Sequence, residues 1–404
     1  MPADVRDPGT GLVLRPFRAT RYGPAVGHDI GTVTSPPYDV IDEETVGRLY
    51  DCHPYNVVRL ILPRRFSHAP SYDEVRSRLQ QWQRDEVLIR DDLPALYVYE
   101  YAVGERTVRG LVGALGLRDR TSATVLPHED VMAGPVQDRA ELISSTGTNL
   151  EPILLVYDGN GVASDLADAV TDEDQLFSAV APDDSRHTVW RITDPEALER
   201  VATDLAPRQA LIADGHHRYA AYQQVQATVG GPDTDFGLAL LVDQERYPLQ
   251  LGPIHRVVSG IGLDDLVSGG ADVATAERFG EDATGARRAA ANSEPGLAAF
   301  ACTDGTTWVV VRAPRADNEI DTHVLHERLL PSLGVTEPQV RYVHDAEHAV
   351  QEARNHARLA LLVNPPSVKS VAAAAEQGRS LPRKSTSFGP KPRMGLLMRT
   401  LQLP

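Results

Sequence analysis

The sequence predicts an α+β, mixed α/β fold, and three observations carry that expectation. Five short apolar runs rich in β-branched or aromatic residues read as strands, three further stretches read as helices, and no segment repeats. The expected strands are 56–62 (NVVRLIL), 95–101 (ALYVYEY), 110–117 (GLVGALGL), 152–157 (PILLVY) and 237–242 (GLALLV). The expected helices are 43–50, 72–89 and 216–228. In the second, Val75, Leu79, Trp82 and Val87 roughly follow helical spacing and leave Arg, Gln and Asp for solvent. Segments 158–185 and 260–296 are rich in Ala, Asp, Gly and Ser, and read as surface helices and loops, the second also as a domain junction. A division into 1–259 and 260–404 follows.

At 404 residues, 42% hydrophobic and 24% charged, the chain can bury a sizeable core. No apolar run approaches the roughly 18 residues that span a bilayer, and the N-terminus lacks signal-peptide character, so no membrane partner and a cytoplasmic location are expected. Cys52 and Cys302 share no metal-ligand spacing and read as reduced, mostly buried thiols. A net charge of −16 without a Lys/Arg run argues against nucleic acid and favours a small-molecule partner. Of 40 basic residues only Lys369, Lys384 and Lys391 are lysine. The first 368 positions therefore exclude a Walker A loop, a protein-kinase ATP lysine and a Schiff-base lysine. Phosphate bound there must be held by Arg, His, backbone amides or metal.

The densest chemistry lies in 211–219, LIADGHHRY. An apolar strand end, the Asp214-Gly215 turn signal and a helix starting at His216 or His217 would aim backbone N–H groups and a helix dipole at one spot, which favours an anion. Arg218 adds a bidentate donor, His216 and His217 add donors that titrate near neutrality, and Asp214 is a candidate Mg²⁺ ligand or proton acceptor. The bland alternative is a helix cap with solvated histidines. Three more clusters share this character. In SPPYDVI, 35–41, two prolines hold an extended segment ahead of Asp39. In LPHEDVMAGPVQDR, 126–139, His128 and Glu129 precede a Gly-Pro turn and the Asp138-Arg139 pair. In GPIHRV, 252–257, His255 adjoins Arg256. The HDAEH segment, 344–348, matches an inverted zinc-protease pattern, but the apolar stripe of a helix over 345–362 would turn His348, Glu352 and His356 to solvent.

Together SPPYDVI, HPYNVVRLILP (53–63), PHED with GP and DR, NLEPILLVYD, ADGHHRY, PIHRVV and LPRKSTSFGPK resemble, in order from Pro16 to Leu397, the family called domain of unknown function 1015. The DGHHR turn is similar to that of free serine kinases of the ParB/sulfiredoxin-like fold. The resemblance implies a ParB/sulfiredoxin-like core elaborated with additional strands and helices, and the polar tail with Lys384, Ser385 and Thr386, following the apolar run 359–363, is expected to return to the core. It also implies a phosphotransferase that uses ATP or ADP with Mg²⁺ and acts on a hydroxyl of a free amino acid such as serine. Asp214, Gly215, His216, His217 and Arg218 would receive the phosphates, and Asp39, Glu129 or Glu100 would accept the proton. His128, Arg139, His255, Arg256, Tyr38, Asn56 and Arg59 are the further candidate substrate or phosphate contacts. The chain departs from the family at Val136, where a lysine commonly follows the Gly-Pro. Two other classes fit parts of the pattern: a nucleotide-sensing ParB-like module without catalysis, and a metal-dependent hydrolase using His128, Glu129, His216 and His217.

Overall fold

The computed structural model describes residues 11–27, 29–63, 71–119, 122–317 and 319–403. The fold is mixed α/β, and the chain forms two compact units. The first takes residues 1–127, 131–249 and 390–404, the second 128–130 and 250–389. The division thus falls after Leu249, and 260–296 lies inside the second unit.

The first unit is built on a nine-stranded sheet. Its named strands are β1 (Leu96–Val103), β2 (Arg106–Gly116), β3 (Val125–Leu126), β4 (Ile153–Tyr157), β5 (Phe177–Val180), β6 (Arg186–Ile192), β7 (Ala210–Asp214) and β8 (Phe236–Asp243). They lie in the order β3-β7-β4-β8-β2-β1-β6-β5, with Leu14–Arg15 also paired to β2. β7 runs antiparallel to β4, and β4 parallel to β8. All residues of β4, β7 and β8 are buried, which is why they read as unbroken apolar runs rather than alternating ones.

Helices α1 (Glu43–Cys52), α2 (Tyr72–Arg84), α3 (Ala133–Thr146) and α4 (His216–Thr228) belong to this unit. Asp42 caps α1 by accepting from Thr45 N (2.8 Å), and Ser71 caps α2 by accepting from Glu74 N (3.3 Å). α2 stops at Arg84 rather than near 89, because Glu86 turns to φ +57° and Leu88–Arg90 joins a small sheet. The apolar run 56–62 forms the short helix Val58–Ile61, not a strand. Asn56 decides this: its side chain accepts from Val58 N (3.0 Å) and donates to Thr32 O (2.7 Å) and Thr34 O (3.0 Å). With Val57, Val58, Leu60 and Ile61 all buried, periodicity could not separate the two states. Cys302 is buried, whereas Cys52, expected inside, is exposed at the end of α1.

In the second unit a six-stranded antiparallel sheet has β9 (His255–Val258), β10 (Thr275–Gly280), β11 (Leu297–Thr303), β12 (Trp308–Pro314), β13 (Val340–Val343) and β14 (Leu359–Val363). The order is β10-β12-β11-β14-β9-β13. The HDAEH segment opens α5 (Ala346–His356). Glu352 does not face solvent as expected. It is buried among Arg341 (3.0 Å), Arg358 (3.3 Å) and His348 (3.5 Å), an ion cluster rather than a metal site. Among the described residues no group of three or more His, Cys, Asp or Glu could hold a metal, and no helix is long and apolar enough to cross a membrane.

The last segment, 390–404, is a structural part of the first unit. Met398–Thr400 pairs with Ala19–Tyr22 on one side and Thr148–Asn149 on the other, and Met394, Leu396, Leu397 and Met398 are buried. At about 1.5–3 kcal/mol per buried side chain, their loss would match the roughly 5–15 kcal/mol stability of a whole domain. A chain ending at Gly389 is therefore expected to lose cooperative thermal unfolding, followed by circular dichroism; an unchanged midpoint would count against this role for the tail.

Candidate active site

Strand β7 ends with a register shift between Ile212 and Asp214, which re-aims the aspartate as the strand leaves its partner. Gly215 follows in the left-handed region at φ +99°, and a Cβ there would stand 3.0 Å from Arg218 Nε and 3.1 Å from Ile153 Cγ2. Glycine is required on both counts. Helix α4 then starts at His216, so its first amides and dipole stand beside the Asp214 carboxylate, as the sequence implied.

Arg218 sits differently from expectation. It is 3% exposed, with Nη2 donating to Asp214 Oδ2 and Nη1 to Pro152 O. It braces the turn from inside rather than reaching for a ligand. Arg139 is likewise buried. It donates to Ile61 O (2.7 Å) and Asp138 Oδ2 (2.6 Å), approaches Glu151 Oε2 (3.4 Å), and lies 4.7 Å over the ring of Tyr38. Val136 packs in the apolar core with Ala140 and Ile143.

The cation that faces Asp214 is one that sequence reasoning did not assign. Lys391 Nζ donates to Asp214 Oδ1 and stands 3.8 Å from Asp39 Oδ2. The side chain keeps 19% exposure, against 3% for Arg218, so the lysine is the accessible positive group. Its segment is fixed by Arg393, which donates to Thr34 Oγ1 (2.8 Å) and pairs with Asp183 (2.9 Å), while Tyr101 Oη donates to Pro390 O (2.7 Å). Ser35 and Met394 exchange backbone hydrogen bonds, which ties the SPPYD segment to the same strap. The available signal was the FGPK sequence in a chain with three lysines.

Electrostatics agree with the geometry. Burial would push the Asp214 carboxyl up, but Lys391, Arg218 and His216 outweigh it and hold it below the usual carboxylate range. Burial likewise opposes the Lys391 ammonium, yet Asp214 and then Asp39 lift its pKa above the usual lysine range. Both oxygens of Asp214 are thus held by cations, and a dication on this carboxylate would meet two positive charges at contact. The arrangement does not fit Asp214 as a Mg²⁺ ligand.

Other expected contacts serve the fold. Asn56 is buried in the bonds described above, and Arg59 donates to Tyr50 O (2.5 Å) at the end of α1. Glu100 is paired with Arg109 (2.5 Å) on the sheet. In the second unit His128 is buried, with Nε2 2.8 Å from Thr386 Oγ1. Glu129 Oε1 accepts from Ser385 N (3.2 Å), Thr386 N (3.2 Å) and Thr386 Oγ1 (2.9 Å), so the polar tail segment captures this carboxylate. His255 Nδ1 accepts from Val363 N (3.3 Å), and the fully buried Arg256 donates to His326 Nε2 (3.0 Å) and Lys384 O (3.1 Å). The first unit therefore gathers Asp39, Tyr38, Asp214, Gly215, His216, His217, Arg218 and Arg139, with Lys391 added. His217 is oriented there by Met132 N, which donates to its Nε2 (3.1 Å).

Two expectations follow. Because Asp214 counters two cations in a buried place, Asp214→Ala should cost stability, by about 3–5 kcal/mol in urea unfolding; an unchanged midpoint would contradict this. His187, His255 and His326 are each lowered from 6.5 to about 4, by burial first and then by Arg393 for His187 and Arg256 for the other two. These rings are neutral in the folded chain and take protons when unfolded. Stability should fall as pH drops from about 6.5 towards 4, and urea midpoints across that range should shift steadily; a flat profile would refute it.

A family model described as protein of unknown function (DUF1015) matches residues 14–336. No curated protein matches the chain. Among solved structures, a free serine kinase mutant in complex with AMP is similar at 15% identity and a TM-score of 0.41, over 72% of this chain and 92% of that one. SbnI with a C-terminal truncation, from Staphylococcus aureus, gives 12% identity and 0.39 over 72% and 87%. A conserved hypothetical protein from Pyrococcus furiosus gives 16% and 0.36 over 66% and 87%.

Proposed function

This chain belongs to the DUF1015 family of proteins of unknown function, and we propose that it is a nucleotide-dependent phosphotransferase acting on a hydroxyl of a small molecule such as a free amino acid. One observation carries the reading: the partly exposed ammonium of Lys391 stands between Asp214 and Asp39 at the start of α4. A helix N-terminus with an ammonium beside it is a phosphate seat, and a carboxylate 3.8 Å from that ammonium is placed to receive a proton. Phosphoryl transfer needs little beyond positioning, charge stabilisation and such a base.

The α4 amides, His216, His217 and Lys391 would meet the phosphates of ATP or ADP. Lys391 would leave Asp214 in part to follow the negative charge, with Asp214 and Arg218 keeping the turn rigid behind it. Of the three candidate bases only Asp39 stays exposed and lightly engaged, since Glu100 is paired with Arg109 and Glu129 is held by Ser385 and Thr386. The hydroxyl oxygen would form a bond to the terminal phosphorus, the bridging P–O bond would break with its electrons leaving on the nucleotide, and the hydroxyl proton would pass to Asp39. A metal would arrive with the nucleotide's phosphates.

Thermal-shift measurements with ATP and ADP test this. A nucleotide at a hundred times its Kd adds about 2.7 kcal/mol to the folded state. The shift should vanish in Lys391→Met, whereas Asp39→Asn should keep it and lose about 10²–10⁴-fold in transfer to amino-acid hydroxyls. No shift with any nucleotide would overturn the reading.

A further inference from the structure

Behind Asp214, inside the first unit, lies a cavity of about 20 Å³ whose walls include Arg139, Leu142, Leu150, Glu151, Arg218 and Tyr222. Two of these residues each bring a buried polar atom with no hydrogen-bond partner of good geometry, the acceptor Glu151 Oε1 and the donor Arg218 Nε, and the backbone N–H of Tyr38 also acts on the Glu151 carboxyl. Glu151 is 4% and Arg218 3% exposed. A buried charged group left unsatisfied costs upwards of about 1–3 kcal/mol, yet here a missing donor and a missing acceptor border the same small space. About 10–15 Å³ admits one water.

We propose that a single ordered water fills this cavity and bridges Glu151 Oε1 to Arg218 Nε, making Glu151 a positioning residue for the phosphate seat. The guanidinium of Arg218 is then held at three points: Asp214 in front, Pro152 O at one side and the water behind. Glu151 Oε2 reaches Arg139 Nη1 at 3.4 Å, so the same carboxylate links α3 to the turn. Burial raises the Glu151 pKa above the usual glutamate range, and Arg218 and then Arg139 oppose that rise. The functional half of this inference rests on the phosphotransferase reading; the water and the brace do not.

Crystal structures of the wild type, Glu151→Gln and Glu151→Met decide it. One density peak within hydrogen-bond distance of both atoms is expected in the wild type and in E151Q. In E151M the water should be absent and the guanidinium turned from Asp214. A dry wild-type cavity, or an Arg218–Asp214 pair unmoved in E151M, would overturn the proposal. Hydrogen exchange of the Arg218 Nε–H, followed by NMR in wild type and E151Q, needs no disruptive variant. Slow exchange in both supports a rigidly held guanidinium, and fast exchange in the wild type refutes the brace. Nucleotide affinity should fall about tenfold or more in E151M, equivalent to 1.4 kcal/mol, and stay within about twofold in E151Q. A wild type that binds no nucleotide would sink the functional reading while the crystal structures still decide the water and the brace.

Discussion

A carboxylate buried at a strand end must be met by cations, and the pairing of Asp214 with Arg218 and Lys391 is the constraint on which the rest of this site depends. Arg218 comes from the same turn, four residues on, and lies flat because Gly215 carries no side chain. Lys391 arrives from 177 positions away and requires the C-terminal segment to be threaded into the first unit. The strap formed by Arg393, Met394 and Met398 therefore has a chemical as well as a packing purpose. Removing any one of these cations would leave a charge buried without its partner, which is far more costly than the pair is stabilising.

The same logic sorts the basic residues by depth. Arg139 and Arg218 lie inside, spending their donors on carbonyls and carboxylates of the scaffold. Arginine suits this task because its rigid fork serves several acceptors at once and keeps its proton when desolvated. Lysine suits the outer position: a mobile ammonium can shift from a carboxylate to a phosphate without rearranging the backbone. The proposed site would then combine a fixed rear wall with one lysine charge able to follow a phosphate.

Much of this was legible in the sequence, and the rest was hidden for physical reasons. Four of the five apolar runs became strands because each was bounded by turn residues and long enough to fill a sheet. The run at 56–62 did not, since a one-turn helix whose apolar residues are all buried around a single Arg59 is too short to show its period, and the deciding interaction was one side chain, Asn56, reaching 24 positions back. The DGHHR turn was readable because strand end, glycine and helix start are local. Its electrostatic partner was not, because nothing local records which distant cation a buried aspartate meets. Glu129 illustrates the converse: next to His128 it resembled an acid or base, but the amides of Ser385 and Thr386 consume it.

Scarcity of lysine allows a direct test of the central claim, that Lys391 is the phosphate-facing charge held by Asp214 and Asp39. Protein labelled at lysine alone gives three side-chain signals, from Lys369, Lys384 and Lys391. Followed by NMR through a pH titration and through addition of ADP, one signal should titrate above the usual lysine range, move on ADP addition, and be the one missing from Lys391→Met. Three signals that titrate alike and ignore ADP would contradict the account.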